Sequence, residues 1–149
     1  MNSILLTVAK NEIGVTEIPG MENNPRILHY ANRSGLMWVK DDETSWCGIF
    51  MAFCLSEIPE CLKSKKYPTR EAARARSWLN YGAVVGDIED AKPGDVIVFW
   101  RDSIDSWKGH VGIYLDHTPN SILTLGGNQS NQVNETWLDR SKVLGVRRY

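Results

Sequence analysis

The chain has 149 residues, about the size of one ordinary domain, and a hydrophobic fraction of 42% is sufficient for a buried core. Lysine and arginine total 17 against 18 aspartate and glutamate residues, for a formal net charge of −1. This balance lacks the positive surplus typical of proteins that bind nucleic acid or anionic membranes. We therefore expect one domain over residues 1–149 and no nucleic-acid partner.

The N-terminal sequence does not resemble a secretory signal. The first ten residues carry a single lysine at their end, and their apolar run is too short for a signal's hydrophobic region. No later run approaches the length of a membrane span. We expect synthesis in the cytoplasm without a signal peptide, no membrane insertion, and delivery by another agent to any site of action outside the cytoplasm.

Cys47, Cys54 and Cys61 are an odd number of cysteines, spaced seven residues apart. This spacing fits neither a disulfide framework nor the paired cysteines of a structural zinc site. The three histidines also lack the spacing of metal ligands. We expect reduced thiols and no metal or other cofactor.

Two helices are predicted near the N-terminus. The first covers residues 3–14, with Ser3 as its cap and Gly14 as its end. The second has Asn24 as its cap, Pro25 at its first position and Gly35 as its end. Both have apolar residues at helical spacing, so each should pack one face on a core.

Two more helices are predicted before the chain changes to strand patterns. The third is capped by Thr44 or Ser45 and runs to about Ser56, because Pro59 prevents its continuation. It is apolar on nearly every side, so it should lie in the middle of the protein. A fourth helix is predicted over residues 69–82, where its alanines favour close packing.

The second half of the sequence predicts strands over residues 95–100, 109–116, 121–127 and 143–149. Asp95 follows a Pro-Gly turn and is expected to bond the turn amides. Helices followed by strands indicate an α+β domain in which the N-terminal helices pack on an antiparallel sheet of four to six strands.

Cys47 lies where the polar start of the segment DETSWCGIFMAFCL, residues 42–55, becomes apolar. A thiol in the first turn of a helix is close to the positive end of the helix dipole and to unpaired N–H groups, which favour the thiolate. The alternative is that Cys47 simply packs in the core, as free cysteines often do. For Cys54, in the apolar middle of the helix, packing is the expected role, and Cys61 should lie in a loop or at a helix edge.

His110 is the candidate base for Cys47. In a strand over GHVGIYLD, alternation places one set of residues on the core face (Val111, Ile113 and Leu115) and directs His110 to the other face. Gly112 beside it allows close approach of another backbone, so a cysteine at a helix start could meet the imidazole there. The alternative is a histidine bonded to a backbone carbonyl. His29 and His117 are expected to be solvated.

Asn128 is the candidate group that orients the imidazole. It follows two glycines and shares strand alternation with Gly126, so its amide oxygen could accept the His110 ring N–H. The alternative is that Asn128 only forms a turn. Trp46 and Trp107 flank the proposed site in sequence, and with Gln129 they are expected to contact substrate, although tryptophan is more often buried in a core.

The sequence resembles the CHAP (cysteine, histidine-dependent amidohydrolase/peptidase) domains, which share the papain-like fold with NlpC-type cell-wall peptidases. The resemblance covers residues 5–149 and rests on Trp-Cys at a helix start, PGD before an apolar strand, GHVGIY, and a Gly-rich segment that ends in Asn. It implies that Cys47 is the nucleophile, His110 the base and Asn128 the orienting residue. Many CHAP domains have a glutamate just before that asparagine, where this chain has Gly126 and Gly127.

The resemblance also implies a function. The short single-domain members from phages and bacteria are peptidoglycan hydrolases, so we expect cleavage of a cell-wall amide, either as an N-acetylmuramoyl-L-alanine amidase or as a peptide endopeptidase. The expected settings are a phage endolysin, a tail enzyme or an injected effector, the last with an inhibitor protein as partner, and the expected state is a monomer. The missing glutamate leaves a non-catalytic cell-wall binding module as the alternative. The oxyanion site supports the same alternative, because Asp41 occupies the position at which papain has a glutamine donor.

Overall fold

The structure, a computed structural model, describes residues 1–20, 22–40, 45–64 and 66–149. Its helices are α1 (Asn2–Lys10), α2 (Pro25–Arg33), α3 (Cys47–Ser56) and α4 (Pro59–Ser64), with 3-10 segments at Ala75–Asn80, Ile88–Asp90 and Arg140–Lys142. No helix among these residues is long and apolar enough to cross a bilayer.

The strands are β1 (Ala83–Val85), β2 (Val96–Trp100), β3 (Gly109–His117), β4 (Ser121–Gln129), β5 (Gln132–Asp139) and β6 (Val143–Arg148). They form one antiparallel sheet in the order β1-β6-β2-β3-β4-β5. The predicted α+β class, with N-terminal helices packed on an antiparallel sheet, is confirmed. Strands β1 and β5 were not among the predicted elements.

The helix boundaries follow the predicted caps only in part. Helix α2 has its cap as predicted, since the Asn24 side chain accepts a hydrogen bond from Arg26 N–H at 2.8 Å and Pro25 is its first residue. Helix α1 begins at Asn2, so Ser3 lies inside the helix rather than capping it. The cap position of α3 is Trp46, so Ser45 does not cap the helix, and Thr44 lies outside the described residues.

The predicted helix over residues 69–82 is wrong. This segment forms turns followed by the 3-10 segment, because side chains bond the carbonyls that a helix would use. The Ser77 hydroxyl oxygen lies 2.7 Å from the carbonyl oxygens of both Glu71 and Arg74 and can donate its hydrogen to either, and the Trp78 indole N–H donates to Ala72 O at 3.0 Å. Tertiary packing around Trp78 therefore overrides the helical propensity of the alanines.

Helix α3 is the centre of the molecule. All ten of its residues are buried, and it packs against α1, α2 and the β3–β4 part of the sheet. An all-apolar helix of this kind can only be stable when it is covered on every side. As a result its first residue, Cys47, is held inside the protein, against the sheet, and not at a free helix end.

Asp95 ties the two ends of the chain to the start of β2. Its buried carboxylate accepts hydrogen bonds from Lys92 N–H at 2.8 Å, from the Asn2 amide at 3.0 Å and from the Arg148 guanidinium at 2.6 Å. The predicted structural role in the turn is confirmed. Burial opposes ionisation, but these partners, led by Arg148, hold the pKa of Asp95 below its ordinary value.

Gly48 tests the packing of α3. A β-carbon at this position would overlap the carbonyl oxygen of Ala72 and lie 3.2 Å from the Trp78 indole nitrogen. Although alanine favours helices, we expect Gly48→Ala to lower the free energy of unfolding by at least about 2 kcal/mol, because backbone must move. Urea unfolding followed by circular dichroism measures this.

Gly86→Ala is the matched control, since no atom lies within 4 Å of a β-carbon built there. It should change the free energy of unfolding by no more than about 0.5 kcal/mol. Equal stability of the two variants would contradict the close packing of α3.

Candidate active site

The structure brings Cys47 and His110 into contact. Cys47 begins α3, and His110 is the second residue of β3. The His110 side chain and the backbone N–H of Val111 both lie close enough to the Cys47 sulfur to lower the pKa of the thiol. Strand alternation is as predicted here, since Val111 and Ile113 lie in the core under α3, while His110 packs against Phe99 on the other side of the sheet.

The environment of Cys47 favours the thiolate. Burial alone would raise the pKa of this thiol, but the hydrogen bond and charge of His110, the Val111 N–H and the positive charge of Arg101 lower it to about 7. For Cys54 burial raises the pKa well above the ordinary value, and burial also raises that of Cys61. The three cysteines are all buried and free, yet only for Cys47 do the groups that stabilise a negative charge outweigh burial.

Gln129 fixes the orientation of the His110 ring. Its side-chain oxygen lies 2.9 Å from His110 Nε2, and its amide nitrogen donates to Thr124 O at 3.1 Å, Asn134 O at 2.8 Å and Asn134 Oδ1 at 3.0 Å. Because the NH2 group is used by these acceptors, the oxygen is the atom that faces the ring, so Nε2 carries the hydrogen. Nδ1 of the neutral imidazole then carries the lone pair that can accept a proton from Cys47.

The group that holds the imidazole is therefore Gln129. Strand alternation had predicted Asn128 for this role, and that prediction is wrong. The β4–β5 pairing runs from Gly126 opposite Asn134 to Gln129 opposite Gln132, so two residues of β4 lie opposite one residue of β5. This bulge shifts the alternation by one position, and Asn128 itself has a positive φ of 57°. Gln129 takes the side of the strand that a regular strand would give to Asn128.

The two glycines of β4 allow this arrangement. A β-carbon on Gly126 would lie 2.9 Å from the Gln129 side-chain oxygen and 3.4 Å from His110 Nε2. A β-carbon on Gly127 would lie 2.6 Å from Phe50 and 2.7 Å from the Trp46 ring, so this glycine lets β4 approach α3. The close approach predicted at Gly112 involves the neighbouring strand at Thr124 instead of a helix start.

The predicted substrate contacts separate into buried and exposed residues. Trp46 is only 1% exposed and donates its indole N–H to Glu17 Oε1 at 2.7 Å, so it belongs to the core and cannot form a cleft wall. Gln129 is also buried, where it contacts His110. Trp107 is 75% exposed and lines a cavity beside the Cys47–His110 pair, so its role as a substrate contact stays a prediction.

The other two histidines have partners that the sequence did not reveal. His29 is exposed, although its ring edge contacts Phe53. His117 bonds the Tyr114 hydroxyl through Nδ1 at 2.6 Å and Glu89 through Nε2 at 3.0 Å. The prediction that His29 is solvated is therefore confirmed, whereas His117 is held by two side-chain partners and is not simply solvated.

Two cavities flank the Cys47–His110 pair. One, of about 250 Å³, is lined by His110, Asn128, Gln129 and the start of the β2–β3 loop. The other, of about 220 Å³, is lined by Ser45, Ala75, Trp107 and Gly109. Arg101 lines both cavities, and its guanidinium lies 3.3 Å from His110 Nδ1. A chain bound across the two cavities would pass Arg101.

The first turn of α3 can stabilise an oxyanion. Its first helical hydrogen bond runs from Phe50 N–H to Trp46 O at 2.8 Å, so the Cys47 N–H lies ahead of the bonded turns. The Ser45 hydroxyl lies 4.0 Å from the Cys47 sulfur, beside the same turn. Asp41, the predicted counterpart of the second donor, lies outside the described residues. Among the residues that are described, no cluster of His, Cys, Asp or Glu could hold a metal ion.

Sequence reasoning missed Arg101, Asn134 and Thr136. Asn134 orients the Gln129 amide, and the Thr136 hydroxyl in turn donates to Asn134 Oδ1 at 2.6 Å. Both lie on β5, whose alternating pattern QVNETWLD was the available signal. Arg101 carried no sequence signal, because a charged residue after a strand is typical of any loop.

Together the fold and the site define a papain-like α+β protein with a cysteine at a helix start facing a histidine on the sheet. Among solved structures, the chain is similar to NlpC1 and NlpC2 from Trichomonas vaginalis, each at 19% identity over 99% of this chain, with TM-scores of 0.54 and 0.57. It is also similar to a lipoprotein-like NLP/P60 family protein from Staphylococcus aureus, at 16% identity over 99% of this chain with a TM-score of 0.51.

The chain spans less than half of those proteins, covering 44%, 46% and 40% of their respective lengths. No protein-family model matches the chain, and no curated protein matches its sequence. At these identities the similarity shows the fold, which is the one expected from the sequence. The roles of individual residues follow from the geometry above.

Cys47 should react with iodoacetamide as its thiolate forms, so its rate should rise with pH and level off above about 7. Cys54, whose pKa is raised by burial, should stay unreactive over this range. His110→Ala removes the main stabilising partner and should lower the Cys47 rate at pH 7 by at least about tenfold. Peptide mass spectrometry gives the rate for each cysteine, and a Cys47 midpoint near 9 would contradict the site.

Gln129→Met should lower the Cys47 alkylation rate at pH 7 by about tenfold, because it removes the acceptor that holds His110 while nearly preserving volume. Asn128→Gly is the matched control on the neighbouring residue, since glycine keeps the positive φ at that position. It should leave the rate within about twofold of the native value. A larger loss for Asn128→Gly than for Gln129→Met would restore Asn128 as the orienting residue.

Proposed function

We propose that the protein is a peptidoglycan hydrolase that cleaves a cell-wall amide bond with Cys47 as nucleophile. The observation that carries this proposal is the arrangement of Cys47, His110 and Gln129, in which a thiol with a pKa of about 7 contacts an imidazole held by an amide oxygen. The papain-like fold shared with NlpC/P60 proteins supports the cell wall as the place of action.

The reaction is acyl transfer in two steps. The Cys47 thiolate attacks the amide carbonyl, and the oxyanion is stabilised by the N–H groups at the start of α3. The C–N bond breaks as imidazolium His110 gives its Nδ1 proton to the leaving amine, which leaves a thioester on Cys47. Water then attacks the thioester while His110 takes its proton, and the carboxylic acid product departs as the thiolate is regenerated.

The finer assignments belong to the same proposal. The bond is either the N-acetylmuramoyl-L-alanine amide or one within the peptides, since the acyl-transfer groups serve both. A CHAP-type, single-domain enzyme of phage or bacterial origin, acting as a monomer on the wall after delivery, fits the sequence motifs around Cys47 and His110. An inhibitor protein is expected only if the enzyme is an effector.

A second candidate function is a cell-wall binding module that does not cut. The observation in its favour is that Cys47 is only 1% exposed and that His110, at 3% exposed, contacts the Arg101 guanidinium. A thiol that substrate cannot reach would leave a peptide-binding surface on a hydrolase-like fold. The two candidates differ in whether covalent bonds of the wall are broken.

Mass spectrometry of soluble fragments from purified peptidoglycan distinguishes them. The native protein should release fragments whose new termini identify the bond, and Cys47→Ala should release none, because no other described group can replace the thiolate. Cys61→Ala, which removes a thiol far along the chain from the site, should behave as the native protein does. Fragments released equally by Cys47→Ala would overturn the cysteine mechanism, and none from the native protein would favour the binding module.

A further inference from the structure

Arg101 contributes its positive charge to the Cys47 thiolate, but the acyl-transfer steps assign no substrate partner to the hydrogen-bond donors of its guanidinium. Its side chain is exposed, yet one guanidinium nitrogen lies 3.3 Å from His110 Nδ1, the atom that exchanges a proton with Cys47. Nδ1 has a single lone pair in the plane of the ring. The guanidinium must therefore leave this atom, or lose its hydrogen bond there, whenever the imidazole takes a proton.

Arg101 acts on Asp102 and Cys47 through its charge, which lowers the pKa of each, but it forms no close ion pair with a described residue. The neighbouring carboxylate, Asp102, forms its ion pair with Lys108 at 2.8 Å, and none of the described ion pairs includes Arg101. A guanidinium presents a planar fork of donors that matches a carboxylate with two parallel hydrogen bonds. Apart from its contact with His110 Nδ1, the Arg101 side chain thus has guanidinium donors available for a ligand.

The backbone under Arg101 is firmly held. Arg76 donates to three carbonyls of the same loop, those of Lys108 at 2.8 Å, Ile104 at 2.8 Å and Ser103 at 3.1 Å, and Arg101 N–H donates to Lys108 O at 3.3 Å. The loop therefore presents Arg101 from a fixed base between the two cavities. A ligand that crosses from one cavity to the other must pass the Arg101 guanidinium, which lies 3.3 Å from His110 Nδ1.

We propose that Arg101 is a specificity-determining residue that binds a carboxylate of the substrate next to the scissile amide. A substrate carboxylate would give the guanidinium an acceptor to replace His110 Nδ1, which leaves Nδ1 to the thiol. Acyl chains that carry a free carboxylate near the cleaved bond are then preferred over their neutral amide counterparts. As a statement about substrate, this inference rests on the proposed function, but its test does not need peptidoglycan.

The test compares an anionic and a neutral reagent of nearly equal size at Cys47. Iodoacetate and iodoacetamide both alkylate the thiolate with loss of iodide. Because both rates depend on the same fraction of thiolate, that fraction cancels in their ratio. The ratio therefore measures how the site discriminates a carboxylate from a neutral amide. Arg101→Gln should lower the iodoacetate-to-iodoacetamide ratio by about tenfold. Arg101→Lys, which keeps the positive charge, should lower this ratio less than Arg101→Gln does.

Lys10→Gln is the matched control, because it removes the same charge from an exposed position at the end of α1. It should leave the ratio at the native value. An unchanged ratio in Arg101→Gln, or an equal fall in Lys10→Gln, would overturn the proposal. If Arg101→Gln lowers the ratio but the native protein releases no peptidoglycan fragments, the carboxylate site is supported and the hydrolase function is overturned. Failure of the inference can therefore be distinguished from failure of the proposed function.

Discussion

The burial of helix α3 is the constraint on which the site depends. Its ten residues are all covered, so the first turn, with Cys47, is pressed against the sheet. Glycines make this possible, because β-carbons at Gly48 and Gly127 would collide with the turns before the 3-10 segment and with the helix itself. The packing that stabilises the fold thus also fixes the distance between the thiol and the base. A thiol in such a place would ordinarily be inert, since burial raises its pKa.

At this site the groups around Cys47 lower the pKa of its thiol by more than burial raises it. These groups are His110, the Val111 N–H and the charge of Arg101, which act together on the thiol. Gln129 keeps the imidazole in the one orientation that serves the Cys47–His110 pair, and Asn134 keeps Gln129 from turning its NH2 group toward the ring. Each group in this series is satisfied by the next, as buried polar networks require.

Much of this could be predicted from the sequence, because the signals are local. The cap of α2 and the alternation that sends His110 away from the core depend on neighbouring residues, and both are confirmed. The role of Gln129, in place of Asn128, could not be predicted. It depends on a bulge in the pairing of β4 with β5, and β5 was not among the predicted strands. The predicted helix over residues 69–82 is wrong for a similar reason. The Trp78 side chain donates to a carbonyl of this segment, and this contact depends on the tertiary fold.

The central claim is that Gln129 acts on Cys47 only through His110. A double-mutant cycle tests it directly, with the thiolate absorbance of Cys47 titrated against pH in the native protein, in each single variant and in His110→Ala/Gln129→Met. The account predicts that Gln129→Met changes the Cys47 titration in the native background and has no further effect once His110 is alanine. Equal, additive effects in both backgrounds would show that the two residues act independently, and would contradict the account.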